Sequence, residues 1–484
     1  MSFLSPAFAI FIICGLSLFY LSPSPLRQYV LLALSYTFYM STSVLHASLL
    51  LGLTASVYLF ARFIETRRSE SGKLRVTVLV VVGLGVVLGG FKYAVWLAGM
   101  MQNLWATGGA DVTALLIAPL GLSYYLFKLI GYLLDVYWEK IPAERNFVAF
   151  ALYVAFFPQI VSGPIQRAGD FFSQLKNLGR PDTPQMAAGL RRILFGLFKK
   201  LVIADQLAKL VAATHANPSA HSSLELLLGA YCFALQLYAD FSGVTDIAIG
   251  LGMLFGVKGP ENFQMPFFAS NMQEFWRRWH ISLTSWLSDY LFAPLMMSLR
   301  GLGALGLSIA IFINMVAVGM WHGASWNAAA FGALNGVYLI VSVFTLKSRN
   351  VYIRTHPLLT RARVAVAPLI TFHLVVFALT IFRANSPALA IEYVKNVIPW
   401  FADGGVAPFR LEGSSMGLDR WTLLVALAGV GVMETLHWAC RRPDWSHRFL
   451  AAPRSLRWGA YYATIFVVVL YGNFRTQQFI YAQF

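Results

Sequence analysis

ALGLSIAIFINMVAVGM, residues 304–320, runs without a charge straight into Trp321-His322-Gly323. As an α-helix at 1.5 Å per residue it rises about 26 Å, close to the ~30 Å thickness of a bilayer's hydrocarbon core. The run reads as a membrane span ending on an ionisable side chain. Similar apolar runs lie at 6–21, 28–41, 45–64, 76–98, 113–137 and 146–162, and again at 223–239, 325–346, 364–382, 421–440 and 458–472. Together they predict an all-α polytopic membrane protein of about 11–13 membrane-embedded helices. The first run lacks a preceding basic region and a small-residue cleavage site, so it reads as a span or interfacial helix rather than a removable signal.

Composition excludes a set of water-soluble domains. Hydrophobic residues make up 58% of the 484 and charged residues 12%, against roughly 25% charged in a soluble domain. The mean hydropathy is +0.64. Lysine and arginine number 37 against 21 acidic residues, a net charge of +16. These cations cluster in short connections: Arg67, Arg68, Lys73 and Arg75; Lys347, Arg349, Arg354, Arg361 and Arg363; Arg441, Arg442 and Arg448. That placement fits cytoplasmic loops under the positive-inside rule and a face that attracts anionic membrane lipid, not nucleic acid. Cys14, Cys232 and Cys440 are too few and too scattered for a disulfide framework or a thiolate metal site.

The middle of the chain breaks the simple pattern. Segment 188–212 carries Arg191, Arg192, Lys199, Lys200, Asp205 and Lys209 inside an apolar run, and 239–270 adds Asp240, Asp246 and several glycines and prolines. Charges and broken backbone inside a bilayer need protein or water around them, so these stretches read as re-entrant or cavity-lining. The catalytic core is expected at about 113–346, within one membrane domain spanning 1–484.

Three patches carry chemistry. Glu274-Phe275-Trp276-Arg277-Arg278-Trp279-His280-Ile281-Ser282-Leu283 reads as a helix with Trp276, Trp279 and Leu283 on one stripe. Its arginines suit an interfacial polar zone or bidentate contact with a ligand's phosphates. In Gly319–Trp326, Ser325 is expected one turn beyond His322 and Asn314 two turns before it, with small neighbours admitting a backbone or slender ligand. An ionisable side chain within a span is a functional candidate by default, and burial favours the neutral imidazole a general base requires. The third patch, Gln236–Asp246, holds Asp240, Ser242 and Asp246, for which capping of a broken helix is the cheapest account. Glu434-x-x-His437 occurs once, where a di-iron bundle uses two copies, and no metal site is expected.

WRRWHISLTSWLSDYL, GMWHG, QLYADFSGVTDIAIG and PENFQMPF together resemble the membrane-bound O-acyltransferase family, in its bacterial branch of alginate and peptidoglycan O-acetyltransferases. PLGLSYYLFKLIGYLLDVY from Pro119, FPQIVSGPIQR from Phe157 and GLFKKLVIADQLA from Gly196 extend the likeness over most of the chain. Two places depart from it. Phe292–Met297 stands where the family commonly has a Gly-Gly-Asn/Arg stretch, and Ala482 where a bulky aromatic is common.

The resemblance implies a ring of helices around a two-sided central cavity, His322 as catalytic histidine and His280 as its companion. It implies an acetyl-CoA donor, whose phosphates would meet Arg277 and Arg278 beside Trp276, with Lys199 and Lys200. It further implies a multi-pass protein of a Gram-negative inner membrane. There it would O-acetylate an envelope polysaccharide through a periplasmic serine acyltransferase of the SGNH type. Tyr481, in the aromatic tail Phe479–Phe484, is expected to carry the acyl group or to anchor the last helix. Asn314, Ser325, Asp240 and Ser242 are expected to line the cavity. A transporter with broken helices, or a scaffold for a separate acetyltransferase, is the rival expectation.

Overall fold

The computed structural model describes residues 4–94, 96, 118–355, 357–398, 419–440 and 448–474. Regular structure among them is entirely helical, and the chain is an all-α polytopic membrane protein. Among the described residues, seven helices are long and apolar enough to cross a bilayer. Pro6–Leu21 and Phe147–Ile160 are shorter apolar helices. Lipid is the solvent these helices are built for: Leu59, Leu79, Val86 and Ile370 are all more than half exposed.

The chain divides into two compact units, Met1–Ile193 with Thr245–Pro260, and Leu194–Val244 with Glu261–Phe484. In the first, a buried polar chain accounts for the FPQIVSGPIQR motif. Lys128 Nζ donates to the Tyr153 carbonyl at 3.0 Å and to Gln159 Oε1 at 3.2 Å. Gln159 Nε2 donates to Gln166 Oε1 at 2.7 Å, and Gln166 Nε2 to the Lys258 carbonyl at 3.1 Å. An ammonium taken out of water needs such oxygens. Arg192 Nε also donates to Asp246 Oδ1, at 2.8 Å.

The helix Ser223–Leu254, here α1, corrects the broken helix expected within Gln236–Asp246. Asp240 and Asp246 sit inside a continuous helix of 32 residues, so neither caps a terminus; each pairs with a cation instead. Glycine at 243 serves packing. A Cβ there would lie 2.8 Å from the Gly196 carbonyl oxygen and 3.1 Å from Lys199 Cβ.

In the second unit, α2 (Gly303–His322) and α3 (Trp326–Thr355) form a tight antiparallel hairpin. α2 stops at His322, and Ser325 caps α3 through its Oγ, which accepts from Ala328 N at 3.1 Å. Ser325 is therefore not one turn further along the histidine's helix, as expected from the sequence. A Cβ on Gly319 would lie 2.2 Å from the Ala328 carbonyl oxygen and 2.9 Å from Gly332 N. Gly319→Ala must push the two spans apart, so it should destabilise the protein by roughly 1–3 kcal/mol or more. Thermal unfolding in detergent checks this; an unchanged melting temperature would contradict the close approach.

Candidate active site

His322 ends α2 and His280 precedes a short helix, Ile281–Leu287. Both are buried, at 6% and 0% exposure, with ring centroids 6.3 Å apart. The fold thus brings together the two histidines singled out in sequence.

His280 is positioned by its backbone. The segment Glu274–Leu283 is not one helix: Met272–Arg278 ends, Trp279 is extended, and His280 takes φ 46° in the left-handed region. Non-glycine residues seldom adopt it, at a cost on the order of 1–3 kcal/mol, and such outliers gather at functional sites. The expected stripe of Trp276, Trp279 and Leu283 is corrected accordingly.

Asn262 holds the kink. Its carbonyl accepts from Ile281 N at 3.0 Å. Its side-chain Oδ1 accepts from Ser282 N at 3.1 Å and Ser282 Oγ at 2.9 Å, and lies 3.2 Å from His280 Nδ1. A backbone N–H can only donate, so the atom it faces is the amide oxygen. Oδ1 therefore asks for a proton on His280 Nδ1 and leaves the lone pair of the neutral ring on Nε2. Burial, with the neighbouring His322 a smaller cause, pushes the His280 pKa well below the ordinary histidine value and keeps the ring neutral.

The walls are aromatic. Phe241 meets His280 edge-on at 4.7 Å, Trp321 lies 5.5 Å from His280 and 5.0 Å from His322, and Phe382 lies 5.6 Å from His322. Sequence reasoning did not select Asn262 or Phe241, although both lie within motifs quoted above. Phe382 has no such signal.

The other candidates lie in different places. Trp276, Arg277 and Asn314 line one cavity of about 540 Å³ beside α2 and α3. Arg278 pairs with Glu274 and donates to the Met265 carbonyl at 3.3 Å. Lys199 and Lys200 open a π-helical turn, Lys199–Ala204, and both are buried. Lys200 pairs with Asp240 and, at 2.8 Å, with Asp205. Lys199 Nζ lies 4.4 Å from the Phe195 ring centroid. Asp240 thus belongs to a buried ion cluster, and Ser242 is buried near it on α1. Tyr481 lies outside the described residues. Among the described residues, no group of three or more His, Cys, Asp or Glu side chains could hold a metal ion.

Comparison with known proteins bears on this geometry. The model of the membrane-bound O-acyltransferase family (MBOAT) matches residues 139–380, a stretch that includes both histidines. A probable alginate O-acetylase AlgI of Pseudomonas fluorescens is 36% identical over 434 residues, 88% of this chain and 81% of that protein. Its counterpart in Azotobacter vinelandii is 36% identical over 339 residues, 67% of this chain and 65% of that protein, just under two thirds of its length. A peptidoglycan O-acetyltransferase of Helicobacter pylori is 32% identical over 343 residues, 64% of this chain and 62% of that protein.

Proposed function

The chain belongs to the membrane-bound O-acyltransferase family, and on that premise we propose that it moves an acetyl group from cytoplasmic acetyl-CoA towards an envelope polysaccharide outside the membrane. The observation that carries the reading is the buried, adjacent pair His280 and His322. Relatives named for O-acetylation of alginate and peptidoglycan support the acetyl group and the polymer acceptor.

Coenzyme A is too charged to cross a bilayer, whereas a small acyl group needs only a protein site reachable from both faces. An acceptor hydroxyl loses its proton to His322 as its oxygen attacks the thioester carbonyl. The C–S bond breaks, and the imidazolium returns the proton to the departing thiolate, so ester and free thiol form without net proton change. His280 polarises or positions the carbonyl. A transition-state charge in so apolar a setting gains more from such groups than it would in water.

The immediate acceptor is the phenol of Tyr481, from which a periplasmic SGNH-type acyltransferase passes the acetyl group to the polysaccharide. The protein then resides in the inner membrane of a Gram-negative cell. Two cell experiments test this. Deleting the chain should remove alkali-labile acetate from an envelope polysaccharide, and wild type in trans should restore it; acetate untouched by deletion would refute the function. Tyr481→Phe should give no polymer acetate while retaining normal protein levels. Full acetylation in that variant would reduce the tyrosine to an anchor.

A further inference from the structure

The cavity that holds Trp276, Arg277 and Asn314 does not include either histidine in its wall. Its volume of about 540 Å³ suits a ligand of some size. Ile311, Met315 and Val318 of α2 and Leu339 and Val343 of α3 supply an apolar wall. Along α2 that wall extends from Leu307 to Val318, roughly 16 Å at 1.5 Å per residue. The shape asks for a chain.

Its polar groups ask for a head. Trp276 is only 6% exposed, and its indole N–H is buried with no hydrogen-bond partner among the described residues. The side-chain oxygen of Asn314 is likewise buried and without a partner. Arg277 is exposed and makes no ion pair among the described residues. Buried donors and acceptors are nearly always satisfied in native proteins, by protein, water or ligand. The missing ligand therefore brings an anion for Arg277, an oxygen acceptor for Trp276 and a hydroxyl or N–H for Asn314.

The surroundings decide its source. Both walling helices contain membrane spans. Next to the wall, Phe312 and Ile313 on α2 and Val341 and Phe344 on α3 are exposed. A cavity rimmed by lipid-facing apolar residues is filled from the bilayer rather than from water. We infer that it is a binding site for an anionic glycerophospholipid, with the phosphate at Arg277, an ester carbonyl at the Trp276 N–H and one acyl chain along Ile311, Met315 and Leu339. Arg277 and Trp276 then serve a membrane lipid rather than the phosphates of a soluble donor. The site does not depend on acyl transfer at the histidines.

The test uses the full chain in phosphatidylcholine discs and phosphatidylglycerol bearing a photoactivatable group in its acyl chain. Labelling is mapped by peptide. The probe should label peptides covering 276–292 and 307–318, and excess unlabelled phosphatidylglycerol should cut the signal at least fivefold while acetyl-CoA leaves it unchanged. Leu339→Trp, which fills the wall, should lower labelling to a similar degree. Arg277→Gln should erase the preference over a phosphatidylcholine probe. The competition on wild type stands even where a filled variant folds poorly. Displacement by acetyl-CoA, equal labelling by the phosphatidylcholine probe, or no label on these peptides would overturn the assignment.

Discussion

His322→Ala should yield a folded, normally inserted protein whose acyl transfer falls by roughly 10²–10⁴-fold, the range contributed by a positioned general base. Folding should survive because the ring sits at the last residue of α2, and alanine keeps the helical backbone there. Activity should not, because the ring that takes the acceptor's proton is gone. The nearest rings are Trp321, Phe382 and His280, and the first two cannot take a proton. His280 is set differently. The Asn262 oxygen at its Nδ1 and its left-handed backbone fix the ring's orientation. Normal transfer by the variant at wild-type protein levels would remove the base from the mechanism.

The second large effect concerns stability. Asp240→Ala takes one of its paired carboxylates from Lys200, which is buried at 1% exposure, and leaves Asp205 at 2.8 Å. Stripping one member from a buried ion cluster costs about 3–5 kcal/mol, because the other charge stays desolvated. That is a large share of the 5–15 kcal/mol by which proteins are stable. The folded yield in detergent should drop sharply. The cluster also adjoins the histidines, since residue 241 on the same helix presents its ring to His280. Any folded fraction should therefore show reduced turnover as well. A melting temperature within a degree or two of wild type would mean that the cluster contributes little.

The spans were legible because lipid imposes a simple rule: about 20 apolar residues per crossing. Residues 304–320 predicted the α2 helix to within two residues at either end. Both histidines were visible as expensive ionisable groups in apolar sequence, but their adjacency was not, since no local period links residues on separate helices. The kink at His280 was hidden too. It contains neither glycine nor proline and is enforced by Asn262, which lies 18 positions earlier.

Asp240 and Asp246 were misread for a related reason. Beside a glycine, an aspartate reads as a cap. Their actual partners, Lys200 and Arg192, are 40 and 54 positions away, and only the fold brings them near. Arginine and lysine pairs in sequence likewise gave no sign that Lys200 and Arg278 are committed internally while Arg277 stays open to a ligand.

The most direct measurement follows radiolabelled acetyl-CoA with purified protein in lipid discs, comparing wild type with His322→Ala. Thioester turnover, or label appearing on the wild-type chain, should fall at least about 100-fold in the variant. Equal turnover by the two proteins would contradict acyl transfer at the histidine pair.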